Sequence, residues 1–153
     1  SEVLLSDSGK KARVFSVVRM TDGNPLMVMT VHPGIPLNGK AFVSRNSDLQ
    51  IYVKDLQTFN GPKIIAGDFN CTPWSYYFQK LLNDGRLVDS EHGFGPQASW
   101  SIFGFFMPLL PIDHCLVSRE IVVTDRKIEK NAGSDHRPLL VRFSVPRRPE
   151  EHR

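Results

Sequence analysis

One stretch constrains the chain more than any other: Lys63-Ile64-Ile65-Ala66-Gly67-Asp68-Phe69-Asn70. A short apolar run bounded by turn residues reads as a buried strand. Side chains alternate across a strand, so Asp68 and Asn70 are expected on one face and Phe69 on the other. A carboxylate and an amide are thus carried to the end of a hydrophobic element, where a polar group without a partner is costly. Open α/β sheets place their chemistry at such strand ends.

The flanking chain supplies a sheet and two helices. Arg13 to Met20 and Leu26 to Val31 are β-type runs around the turn cluster Thr21-Asp22-Gly23-Asn24-Pro25, which predicts a hairpin. The second run stops at His32-Pro33, and a residue before proline is held extended, so His32 is expected at the strand end. Phe42, Leu49, Tyr52, Val53 and Leu56 recur at helical spacing, which predicts a helix over 39–59. Arg45 and Asn46 lie on the same stripe, either as solvent contacts at the helix end or as groups fixed against a site. Gly61-Pro62 stops this helix. Thr72-Pro73 reads as a cap followed by a first-turn proline, and Trp74, Tyr77, Phe78, Leu81 and Leu82 as an apolar stripe. Strands are expected over 87–89, 112–118, 120–126 and 139–145. The segment from Ala98 to Leu110 crowds apolar side chains around Gly104 and Pro108; it reads as a hairpin over the core or as an exposed apolar loop for a partner, membrane or hydrophobic substrate.

Size and composition narrow the classes. At 153 residues and 41% hydrophobic, the chain suffices for one core. No run approaches the ~20 apolar residues of a membrane span. No basic-then-apolar leader is present, and the absence of an initial Met leaves an upstream anchor or signal open. The net charge of +3 is compatible with a polyanionic partner, but the basic residues are scattered and read as solvated surface. Cys71 and Cys115 show neither metal-ligand spacing nor a disulfide framework and read as small buried residues.

Polar residues thus stand at several element ends: His32, Asp68 with Asn70, Asp113, Asp135 and His136. Singly, each has an ordinary structural reading as a hydrogen-bonded strand end or turn cap. Gly-Asp-Phe-Asn at 67–70, Ile-Asp-His at 112–114 and Gly-Ser-Asp-His-Arg-Pro at 133–138 occur together, with Val-His-Pro at 31–33. In order and rough spacing this set resembles the endonuclease/exonuclease/phosphatase superfamily of nucleases, phosphatases and sphingomyelinases. The detail Gly-Asp-Phe-Asn-x-Thr-Pro-Trp with Pro-Ile-Asp-His-Cys-Leu-Val-Ser is similar to a bacterial subgroup, some of whose members carry membrane segments before this domain.

The resemblance implies a divalent-metal-dependent phosphoester hydrolase. Asp68 would activate the attacking water and Asn70 would hold it or donate to phosphoryl oxygens. His136 would donate to a non-bridging oxygen, oriented by Asp113, and His32 would sit by the phosphate or leaving group. Asp135 would help bind Mg2+ or Mn2+, since hard carboxylate donors suit such cations. The substrate would be nucleic acid, a phospholipid or a small phosphodiester; a non-catalytic interaction module keeping the fold is the alternative.

The match covers Val14 to Phe143, yet the family's first-half Asn and Glu motifs have no counterpart here. The implied fold class is therefore α/β (α+β), half of a four-layer sandwich with a mixed β-sheet and helices on one face. Residues 1–145 would form the C-terminal part of the domain and 146–153 a flexible charged tail. Metal binding would be weak in this chain alone, and the missing N-terminal half or a homodimer partner would cover the exposed sheet face. The compartment stays open, with a membrane-anchored parent and the domain outside the cytoplasm as one reading.

Overall fold

A computed structural model describes residues 13–101 and 110–146. In chain order these form β1 (Val14–Arg19), β2 (Pro25–Val31), α1 (Gly39–Gln57), β3 (Lys63–Asp68), α2 (Tyr76–Gly85), β4 (Leu87–Asp89), β5 (Asp113–Ser118), β6 (Val122–Ile128) and β7 (Leu139–Ser144). Five strands make a mixed sheet in the order β1-β2-β3-β5-β4, and β6 with β7 makes a separate two-stranded sheet. Among the described strands only β2 and β3 pair in parallel, with α1 as their crossover; antiparallel neighbours need no such connection.

The two sheet faces bury different partners. Met27, Met29, Val31, Ile65 and Leu116 point to one face, against Leu49, Tyr52, Val53 and Leu56 of α1 and Phe78 and Leu81 of α2. Each such side chain, fully buried, stabilises the fold by about 1.5–3 kcal/mol. The opposite face carries Leu26, Ile64, Cys115 and Val117, with Val123 of β6 and Leu139 and Val141 of β7 packed on it. Both helices thus lie on one face, as expected, but the other is not bare: the β6–β7 hairpin covers part of it. Beside that hairpin a groove of about 640 Å³ stays open, lined by Ala66, Cys115, His136, Leu139, Val141 and Phe143.

Element ends depart from the sequence reading for local reasons. Helix α1 is capped by Asn38, whose side chain accepts from the Ala41 amide at 3.0 Å, and it ends at Thr58, whose hydroxyl donates to the Asp55 carbonyl. Its buried side includes Arg45 and Asn46, 3% and 5% exposed, so they are not solvent contacts. The second helix starts at Tyr76, not at Pro73, because Thr72 to Ser75 closes a turn through the Ser75 amide and Thr72 carbonyl. Trp74 is consequently exposed, while Phe78 and Leu81 keep their expected burial. Strand β6 begins after Glu120 because Ser118 to Ile121 is a turn.

The crowded apolar segment lies outside the described residues over 102–109, as does the tail beyond 146. Its ends are described, and Trp100 and Leu110 form an antiparallel bridge. Among the described residues no helix is long and apolar enough to cross a membrane.

Candidate active site

The site lies where β2, β3 and β5 end, on the face opposite the helices. Asp68 closes β3 and stands directly across from Asp113, the first residue of β5. Like charges opposite one another in a ladder are destabilising, so this pairing needs compensation. His136 provides it from the segment just before β7. Its Nδ1 lies 2.8 Å from Asp113 Oδ2 and its Nε2 lies 4.0 Å from Asp68 Oδ2. His32, just past β2, places its Nε2 3.5 Å from the same Asp68 oxygen. Two imidazoles and two carboxylates therefore share one small space, with His32 the most open at 61% exposure and Asp68 the least at 16%.

The backbone around His136 explains how it reaches β5. Trp100 bridges His136, the Arg137 amide donates to the Ser99 carbonyl at 2.7 Å, and the Asp113 amide donates to Ser99 Oγ. Buried Ser99 thus ties the carboxylate's strand to the imidazole's segment. The Asn131 side chain accepts from the Gly133 and Ser134 amides, and Ser134 Oγ accepts from the His136 amide. These bonds fix the turn that precedes the histidine.

Asn70 arrives differently from the expected pleat. The strand ends at Asp68, Phe69 enters the helix-side core, and Asn70 is left-handed with φ 48°. Its amide donates to Asp68 Oδ1 at 2.7 Å, and its side-chain nitrogen donates to the Pro33 carbonyl at 3.0 Å. Asparagine tolerates that backbone shape better than most residues. Of the two side-chain amide hydrogens, one is therefore committed to the His32-Pro33 segment.

Electrostatics single out Asp68. Burial pushes its carboxyl above the usual range, the Asn70 amide opposes this, and the Asp113 charge raises it further. Asp135 goes the other way: the Trp100 indole donates to its Oδ2 at 3.1 Å and holds its carboxyl below the usual range. Its Oδ1 accepts from Ser134 Oγ. Asp135 is thus engaged beside the site, facing Trp100 and Ser134. Among the described residues no group of three or more His, Cys, Asp or Glu is placed to hold a metal ion.

A model of the endonuclease/exonuclease/phosphatase family matches residues 5–136. The chain belongs to this family. A UPF0294 protein of Vibrio parahaemolyticus is 29% identical over 140 residues, covering 88% of this chain and 46% of that protein. The chain thus spans under half the length of that relative. A Bacteroides thetaiotaomicron mannosyl-6-phosphatase has a similar structure, with a TM-score of 0.66 at 22% identity over 87% of this chain and 57% of its own. The human Nocturnin catalytic domain with bound sulfate anion gives 0.68 at 17%, over 88% and 53%. At such identities the likeness is one of fold.

Within this family fold the structure adds His114, to which sequence reasoning gave no role, and shows Arg45 fixed against the site, one of its two expected placements. His114 is 1% exposed and contacts two groups, Asp89 Oδ2 at 3.2 Å through Nδ1 and the Cys71 carbonyl at 3.0 Å through Nε2. Arg45 Nη1 donates to the Asn70 carbonyl at 3.0 Å. The position of Arg45 on an apolar stripe was the available signal for it; nothing in the sequence pairs His114 with Asp89. Cys71 and Cys115 are buried free thiols, each pushed up to about 11 by burial.

Proposed function

We propose that this chain carries the phosphoryl-handling side of a phosphoester hydrolase active site. The observation that carries the reading is the convergence of His32 Nε2 and His136 Nε2 on one oxygen of a partly buried carboxylate, at 3.5 and 4.0 Å. Both separations exceed a direct hydrogen bond, so neither Nε2 is committed to the carboxylate, and both stay available to a phosphoryl group brought beside Asp68 Oδ2.

The chemistry follows from the free atoms. Asp68 Oδ1 is held by the Asn70 amide, which leaves Oδ2 to take a proton from water as the water oxygen bonds to phosphorus. Its raised pKa makes it a better base than an ordinary exposed aspartate once ionised. His136 Nδ1 faces Asp113, so Nε2 is directed at the developing charge, and with both ring nitrogens protonated it donates there. His32, the most exposed member, protonates the leaving oxygen as its bond to phosphorus breaks. The second amide hydrogen of Asn70 is placed to steady the water or a phosphoryl oxygen.

Mg2+ or Mn2+ is what the resemblance implies, but the described donors do not gather a ligand set for it. Cation binding therefore needs donors beyond those described, with Asp135 at most one contributor. In the same reading, the open groove beside β7 is covered by the remainder of a longer protein or by a second copy. Sedimentation showing a clean monomer of this chain at high concentration would exclude the second copy.

The test is turnover of plasmid DNA, phospholipid and a small phosphomonoester by the longest natural form with Mg2+, with and without Asp68→Asn. Loss of turnover in a folded variant supports the hydrolase; unchanged turnover, or none in the wild type, favours a non-catalytic module.

A further inference from the structure

The turn at Asn70 is gripped by two buried side chains that stand behind the site, one from α1 and one from β5. Arg45 comes from α1 and is 3% exposed. Its Nη1 reaches the Asn70 carbonyl, its guanidinium lies against the Cys71 thiol, and its Nε has no hydrogen-bond partner. A buried guanidinium left partly unsatisfied is costly, and purely structural packing would be served better by an apolar side chain. His114 comes from β5 and is wedged between Phe69 and Phe78, with ring centroids 5.7 and 4.3 Å away. The Cys71 carbonyl only accepts, so His114 Nε2 carries a hydrogen. Nδ1 then shares a proton with Asp89, which sets the ring's orientation.

We infer that Arg45 and His114 are positioning residues that clamp the consecutive carbonyls of Asn70 and Cys71 and so hold Asn70 left-handed. The consequence reaches both sides of the site. In that shape the Asn70 amide points at Asp68 Oδ1 and its side chain at the Pro33 carbonyl, next to His32. One turn thereby sets the base and the loop of the first imidazole together. Asp89 acts one step further away, by orienting His114.

The kinetic part of the test rests on the phosphoester reading; the structural part does not. In the isotope-labelled chain, the Asn70 Cα and carbonyl shifts and its amide coupling report the left-handed backbone. Arg45→Met and His114→Phe should both move Asn70 away from that signature while the β1–β2 amides stay in place. His114→Gln keeps an N–H toward the Cys71 carbonyl and should retain it. In the longest active form, the first two variants should lower kcat about a hundredfold, the scale of a 1 Å misplacement, with KM little changed. A wild type without phosphoester turnover defeats the functional reading and leaves the Asn70 readout to decide the clamp. Unchanged Asn70 signals in Arg45→Met overturn the inference, and that variant decides alone if His114→Phe does not fold.

Discussion

Gly67→Ala is the sharpest single perturbation of this architecture. Gly67 pairs with Val31 across the parallel β2–β3 ladder, at φ 147°. A Cβ built there would lie 2.0 Å from the Val31 carbonyl oxygen and 3.1 Å from its carbonyl carbon, while ordinary contact begins at 3.4 Å. The obstructing atoms are backbone, so relief requires the strands to part by more than an ångström. Overpacking of this kind costs about 1–3 kcal/mol. The entropy that alanine removes from the unfolded chain offsets only ~0.4–1 kcal/mol. Gly34→Ala is the control, because nothing lies within 4 Å of a Cβ there and its φ is not positive. Urea unfolding should therefore show a lower midpoint for Gly67→Ala and an unchanged or higher one for Gly34→Ala. The melting temperature of the first should fall about 2–4 °C for each kcal/mol lost. The damage should also be functional, since Val31 leads directly into His32 and Gly67 into Asp68. Equal midpoints for the two variants would refute the close-approach argument.

Other outcomes follow from the same geometry. Because the folded Asp68 carboxyl titrates above its ordinary value, the native state binds a proton that the unfolded state has already released. Stability from this group is full below the unfolded pKa and is lost as pH rises through the folded one. Asp68→Asn, which preserves the acceptor for the Asn70 amide, should therefore match or exceed wild-type stability at pH 7 and lose that advantage near pH 3, read by urea unfolding at both. Asp113→Asn should move the Asp68 carboxyl midpoint downward in a carbon-13 titration, since a neighbouring charge that raises it is gone. Phe78→Ala removes a fully buried ring touching Phe69 and His114 and should cost about 3–5 kcal/mol in chemical unfolding. Calorimetric titration of the chain with Mg2+ should show no micromolar affinity, and finding one would mean that the described donors suffice.

Strand identity and the order of the polar motifs were legible because they depend on local chemistry. Ile64 and Ile65 must be buried, and the turn residues around the run delimit the strand. The pleat rule served for Phe69 but not for Asn70, because a left-handed turn replaces the strand after Asp68. For Arg45 and Asn46 two readings stayed open, and burial of Asp48 was hidden, for a related reason: helical periodicity marks a face but does not say which polar residues on it are buried. The false start at Thr72-Pro73 shows that one cap signature fits both a helix and a turn. Least legible was the placement of the β6–β7 hairpin, whose alternating residues announce strands without saying which sheet face receives them.

The facing of Asp68 and Asp113 across one ladder has a consequence for how the molecule is assembled. The carboxylates belong to the five-stranded sheet, and the imidazole that separates their charges arrives just before β7 of the other sheet. Residues 32, 68, 113 and 136 are far apart along the chain, and contacts of such long range form slowly. Before the hairpin docks, the unshielded carboxylates disfavour the closing of their own ladder end. Hydrogen exchange should therefore protect the β2–β3 centre earlier than the Asp68–Asp113 rung during refolding, so that chemical competence marks the last stage of folding.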